Sequence, residues 1–211
     1  MSVSRSTFLE RALSTEAPPS DPASARILDA ALELVAASGL RHLTMEEAAA
    51  RAGLGRMTVY RRFGDRQGLI DALAAREARS CLAELDRAVD PSLPVAEGIA
   101  RGFASSVSLI RTHPLLARFA RHEPEAALSA LNANGGAILV MGREFVAGRL
   151  REAQARGDLG PEIDPSEAAE LLVRLALSFL LMPDSALPLD DLAEAARTMR
   201  SLIDPILARS A

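Results

Sequence analysis

Between Arg41 and Arg66 the chain gathers six arginines (Arg41, Arg51, Arg56, Arg61, Arg62, Arg66) against Glu46, Glu47 and Asp65. That is a local charge of +3 in a protein whose formal net charge is −4. Three hydroxyl groups, those of Thr44, Thr58 and Tyr60, fall in the same stretch. Guanidinium forks and hydroxyls are the groups that bind phosphodiester oxygens, and an arginine can also grip the O6/N7 edge of guanine. A local basic patch suits duplex recognition, while the acidic balance elsewhere excludes a protein that coats nucleic acid over its whole surface. No comparable grouping supports catalysis. His42, His113 and His122 lack the i, i+4 spacing of a helical metal pair, and there is no phosphate loop, nucleophile elbow or cysteine cluster. Cys81 stands alone in a helical pattern and reads as a buried, inert thiol. Asp190-Asp191 suits a helix start better than a catalytic pair. The expectation is a non-enzyme that uses no metal and no cofactor.

The elements that would position these groups can be read from spacing. A first helix over about 23–38 carries Ile27, Ala30, Ala31, Leu34 and Val35 on one stripe, with Gly39 at its end. Thr44 followed by Glu47 reads as a capping box opening a short helix that reaches Arg51 and Ala52. Gly53-Leu54-Gly55 is a tight turn, and a third short helix takes in Arg56 to Phe63. Gly64-Asp65 breaks the chain, and Asp65 caps a long helix running towards Val89. Two short helices about a three-residue glycine turn match the helix-turn-helix layout. At about 100° per residue, Val59 and Phe63 share the inward face, Met57 and Arg61 point away from it, and Thr58 and Tyr60 lie on the flanks. A helix so placed in a major groove offers Met57 and Arg61 to base edges and Thr58 and Tyr60 to phosphates, with Arg56 suited to either. Thr44, at the N-terminus of the second helix, and Arg66, in the first turn of the long one, are further phosphate candidates.

The run Arg26-Ile27-Leu28-Asp29-Ala30-Ala31, then Leu43-Thr44-Met45-Glu46-Glu47-Ala48-Ala49, then Ala52-Gly53-Leu54-Gly55-Arg56-Met57-Thr58-Val59-Tyr60-Arg61-Arg62-Phe63 resembles the TetR-family DNA-binding domain, and Asp65-Arg66-Gln67-Gly68-Leu69 extends the match. The resemblance covers roughly 25–73. It implies phosphate contacts for Thr44, Thr58 and Tyr60, and puts Arg66 where family members often carry a phosphate-binding lysine. Where the family often has serine and glycine, this chain has Gly55 and Met57, so a serine contact is lost and bulk is added.

The remainder is rich in Ala and Leu and poor in aromatics (3%, with no Trp), a balance that favours helices. The expected fold is all-α: a three-helix helix-turn-helix head joined by a long fourth helix to a helical C-terminal region. The expected organisation is a flexible arm over 1–22, a DNA-binding domain over 23–70 with its motif at about 44–63, and a ligand-binding and dimerisation domain over 71–211. His113-Pro114 and Glu123-Pro124 bracket a short helix, and a longer one runs through Ile138 and Leu150. From Ser166 to Met182 a single narrow polar stripe (Glu167, Glu170, Arg174, Ser178) leaves the rest of the circumference apolar, so this helix must be covered on more than one side. The last helix carries Leu192, Ala195, Ala196, Met199, Leu202, Ile203 and Ile206 on one stripe.

The resemblance implies that the last two helices pair across a two-fold axis, which makes Leu171, Leu175, Phe179, Leu192, Met199, Leu202 and Ile203 the expected dimer surface. A homodimer would set two recognition helices roughly 34–36 Å apart on a palindromic operator. The resemblance also implies an effector pocket between the middle helices, with Phe103, Val107, Ile110, Phe119, Ile138, Met141, Phe145 and Leu172 as its expected lining. Gly102, Ser105, Ser106, Gly135, Gly136 and Gly142 would leave room, and the scarcity of charge points to a lipophilic effector such as an acyl chain or aromatic compound. No apolar stretch reaches the ~18–20 residues that cross a bilayer, and no signal-peptide core opens the chain, so no membrane partner and a cytoplasmic location are expected. These readings lead to a double-stranded-DNA-binding regulator, a repressor released by its effector. The alternative is a helical protein that sequesters a ligand or partner with little role for DNA.

Overall fold

The computed structural model describes residues 21–90, 92–132 and 136–207, and every regular element among them is helical. Helix α1 spans Pro22–Ser38. Asp21 caps it, accepting from the backbone N–H of Ala23 (3.0 Å) and Ser24 (3.2 Å). Asp21 and Pro22 were expected to end a flexible arm; instead they start the helix, because proline's fixed φ and missing N–H suit the first helical position. The rest of that arm, 1–20, lies outside the described residues. A single 3-10 turn, Leu40–His42, leads from Gly39 to Thr44 and the short helix α2, Met45–Ala52. Helix α2 ends on Gly53 in the left-handed region (φ 64°), which reverses the chain into α3, Arg56–Phe63. Asp65 caps α4, Arg66–Ala88, through the Gly68 N–H (2.8 Å).

The C-terminal region adds α5 (Val95–Thr112), α6 (Pro114–His122), α7 (Pro124–Asn132), α8 (Ala137–Ala155), α9 (Pro165–Leu181) and α10 (Leu192–Leu207). Pro114, Pro124 and Pro165 each open a helix here, so what reads as a break is also a start. Helix α7 is the element that spacing did not supply.

Three buried clusters hold these helices together. The largest centres on Ile27, Leu28, Val35, Leu43, Val59, Leu69 and Leu73 of the head, and continues without interruption into Leu115 and Phe119 of α6 and Leu180 of α9. At about 1.5–3 kcal/mol for each fully buried side chain of this size, it dominates the head's stability and ties it to the body. A second cluster joins α5 to α10 through Ala100, Phe103, Ala104, Val107, Ala195 and Met199. A third joins α8 to α9 through Ala147, Leu150, Ala153 and Ala169.

This packing corrects part of the expected dimer surface. Met199 is buried in its own protomer against α5, and Ile203 packs beside it. Phe179 meets Phe103 edge-on, with ring centroids 5.7 Å apart. A helical stripe looks alike in sequence whether a neighbour in the same chain or a second copy covers it. Leu171 (71% exposed), Leu175, Leu192 and Leu202 do remain uncovered.

Candidate DNA-binding surface and the cavity behind it

Helix α3 is oriented as its periodicity requires. Val59 and Phe63 are buried, Thr58 and Tyr60 are half-buried on the flanks, and Met57 (76% exposed) and Arg61 face outward. The Thr44 hydroxyl accepts from the Glu47 N–H (3.1 Å) and donates to the Glu47 carboxylate (2.9 Å), which fixes the start of α2.

The arginines divide by what their guanidinium groups already hold. Arg62 turns inward and donates to Asp21 (2.9 Å from Nη2) and to Ser24 Oγ (3.0 Å). That hydrogen bond from Arg62, helped by the Ser24 hydroxyl, keeps the Asp21 carboxyl well below the usual carboxylate range. Arg66 donates from Nε to the Leu43 carbonyl (2.8 Å) and from Nη2 to the Leu40 carbonyl (2.6 Å). Its expected use as a phosphate contact is thereby narrowed to the donors left over, since two are committed to bracing the 40–43 connection. Arg51 pairs with Glu33 (3.1 Å). Arg56 pairs through Nε with Glu46 Oε1 (2.8 Å), stacks over the Tyr60 ring at 5.1 Å, and the Tyr60 hydroxyl donates to the same carboxylate oxygen at 3.5 Å. Arg61 makes no ion pair among the described residues. Arg41, itself highly exposed, meets Glu125 of α7 at 3.8 Å, which leaves Arg61 as the one of the six that no described carboxylate or carbonyl engages.

Behind the head lies an apolar cavity of about 310 Å³, walled by α4, α5, α6, α7, α8 and α9. Phe103, Ile110, Phe119, Ile138, Phe145 and Leu172 line it as expected. Val107 and Met141 do not: Val107 is turned onto α10, and Met141 is buried away from the space. Of the small residues expected to leave room, Gly102, Ser106 and Gly142 do line it, Ser105 and Gly136 do not, and Gly135 lies outside the described residues. The α4 wall (Glu77, Ala78, Cys81, Leu82, Leu85) was not foreseen, because its stripe reads as ordinary core. Burial, with the Glu77 and Glu84 carboxylates nearby, pushes the Cys81 thiol up to about 12, so it stays protonated and unreactive.

Glu77 is the buried charge in this wall, 6% exposed. It accepts from Arg76 Nε (2.7 Å) and meets His113 Nε2 at 3.1 Å. Burial raises its pKa, but the hydrogen bonds from His113 and Arg76 outweigh burial and hold the carboxyl below its ordinary value. Arg76 also reaches Asp29 on α1 (2.6 Å), so a chain of charges links the cavity wall to the head. A second link runs through α6. Arg118 donates to Glu123 (3.0 Å), and Glu123 accepts from the Leu40 N–H (3.1 Å). Gly39, at φ +93°, leaves the space this carboxylate occupies: a Cβ there would lie 2.0 Å from Glu123 Oε1. Sequence alone carried no signal for either link, since the partners are 36 to 83 residues apart.

No group of His, Cys, Asp or Glu among the described residues is placed to hold a metal ion, and no helix there is long and apolar enough to cross a membrane. Two short helices set at a tight turn on a helical body, with the second helix presenting an arginine, define a helix-turn-helix transcription regulator that binds DNA. Comparison with known proteins narrows the class. Residues 27–73 match the model described as bacterial regulatory proteins of the tetR family, and residues 96–204 match the tetracyclin repressor-like C-terminal domain. The chain is 27% identical over 205 residues to the HTH-type transcriptional regulator UidR of Escherichia coli K12, covering 94% of this chain and 98% of that protein. It is 31% identical over 162 residues to the HTH-type regulator Rv1255c of Mycobacterium tuberculosis, covering 75% and 74%. Among solved structures, Salmonella enterica GusR superposes with a TM-score of 0.65 at 19% identity, over 89% of this chain and 96% of that one. The TetR family repressor AlkX from Dietzia follows at 0.63 and 21%, over 89% and 97%. The chain belongs to the TetR family of bacterial transcription regulators.

Proposed function

We propose that the protein is a repressor that binds a palindromic operator as a homodimer and leaves it when a small lipophilic molecule fills the cavity. The observation that carries this reading is the cavity itself, whose α4 and α6 walls are linked to the head by Glu77–Arg76–Asp29 and Arg118–Glu123–Leu40. Its size falls at the lower end of the roughly 300–1,000 Å³ typical of small-molecule sites. AlkX, of the same fold, is implicated in biodegradation of n-alkanes, a chemistry in keeping with an apolar pocket. In this reading Met57 and Arg61 face base edges, Thr44, Thr58, Tyr60 and the remaining donors of Arg66 face phosphates, and Leu171, Leu175, Leu192 and Leu202 meet the second copy. The domain division at about residue 70 is part of the same proposal, with α4 and α6 as the elements shared across it. A ligand that binds one dimer geometry better than the other by about 1.4 kcal/mol lowers operator affinity tenfold.

The test is recovery of sheared genomic DNA by the wild-type protein and by an Arg61→Ala, Tyr60→Ala variant. A few palindromic sites enriched by the wild type and lost in the variant are expected. Enrichment of none at moderate salt would overturn the operator reading in favour of a sequestering protein.

A further inference from the structure

Arg56 is the first residue of α3, on the same flank as Tyr60, and its guanidinium is held twice before any DNA arrives: Glu46 on α2 takes its Nε edge, and the group lies over the Tyr60 ring one turn on. Tyr60 is tied to the same carboxylate oxygen, so the three side chains form one unit spanning both helices of the motif. All three remain open to an outside partner, with Arg56 63% and Glu46 51% exposed. This arrangement has little value for stability, since an ion pair exposed to water gains little over its solvated partners. Its consequence is geometric. An arginine has five donors in a planar fork, and engaging Nε leaves the two Nη groups as the free edge, the edge that pairs with guanine O6 and N7.

We propose that Glu46 is a positioning residue for base reading: with Tyr60 it orients Arg56 so that its Nη edge meets a guanine in the operator. Glu46 places a negative charge on a face that approaches phosphates, which costs affinity for any DNA. It repays this only where the fixed Arg56 finds a matching base. Freezing a long side chain in the free protein removes an ordering cost of about threefold to tenfold in affinity from the specific complex. Glu46 therefore acts oppositely on the two kinds of complex, weakening sequence-independent binding and strengthening operator binding. The inference rests on the operator reading above, and refines the role of Arg56 within it.

The experiment measures binding by fluorescence anisotropy to two duplexes: the strongest site recovered by the wild type from genomic DNA, and a random-sequence duplex of equal length. Wild type is compared with Glu46→Gln, Arg56→Gln, the double variant and Glu47→Gln. Glu47 is held by Thr44 and touches no arginine head, so it controls for loss of one negative charge near DNA. The expected result is that Glu46→Gln binds the operator about threefold to tenfold more weakly while binding random duplex as well as, or better than, wild type. The double variant should bind the operator no more weakly than Arg56→Gln, because Glu46 helps only through Arg56 while its charge costs affinity for any DNA. A rise of both affinities, as with Glu47→Gln, would mean plain repulsion and overturn the proposal. So would a double variant weaker than Arg56→Gln by the full single effect. Failure of the operator reading looks different: the wild type itself would show no preference between the duplexes, and the proposal would fall with it.

Discussion

Replacing Glu77 by Gln keeps the shape of the cavity wall but removes its charge, and the structure allows the cost to be worked out. Glu77 is 6% exposed and takes one hydrogen bond from Arg76 and one from His113. Hydrogen bonds to a charged group contribute about 1.5–3 kcal/mol each when both partners are otherwise satisfied. The loss is smaller here, because Gln retains one acceptor and Arg76 keeps Asp29. A destabilisation of about 2 kcal/mol at neutral pH is expected, which for a chain of this length lowers Tm by roughly 4–8 °C. The pH dependence has a definite sign. The folded-state pKa of Glu77 is lowered, so its contribution is fully present above the unfolded carboxyl value and is lost as pH falls through the folded one. The gap between wild type and Glu77→Gln should therefore be largest near about pH 7 and shrink below about pH 4. Urea unfolding followed by circular dichroism at several pH values measures it. A gap that stays constant across this range, or a variant more stable than wild type at neutral pH, refutes the assignment of Glu77 as an ionised, paired wall residue.

Three further outcomes are expected. Gly39→Ala places a Cβ at φ +93°, 2.0 Å from the Glu123 carboxylate, and should destabilise the protein by about 2–4 kcal/mol in chemical unfolding; Glu123→Ala in the same chain should recover part of that loss, and no recovery would refute the steric account. Leu171→Glu with Leu175→Glu, at two exposed positions one turn apart on α9, should leave the helical signal unchanged and shift sedimentation at micromolar concentration from dimer to monomer; an unaltered dimer would locate the interface elsewhere. Gly102→Leu sends a side chain into the cavity with its Cβ in ordinary contact with Val89 (3.5 Å), so uptake of an apolar fluorescent dye should fall several-fold without loss of stability; undiminished uptake would place the dye outside this cavity.

Much of the head was legible because its determinants are local. The Thr44–Glu47 cap, the left-handed Gly53 and the 100° spacing that separates Val59 and Phe63 from Met57 and Arg61 all act within a few residues. Backbone sterics and helical period fix them before any distant contact forms. The all-helical class was legible for a similar reason, as a sum of Ala- and Leu-rich preferences. Tertiary structure alone decided which charges are free and what covers each apolar stripe. Arg62 and Arg66 are as basic in sequence as Arg61, yet their partners lie 41 and up to 26 residues away. Glu77 becomes a wall residue only when His113 and Arg76 converge on it. Val107, Phe179 and Met199 have the same apolar pattern as true cavity or surface positions, and only the seating of α9 and α10 on α5 turns them inward. Hydrophobic burial is non-directional, so a pattern states that a face must be covered while packing selects the neighbour that covers it.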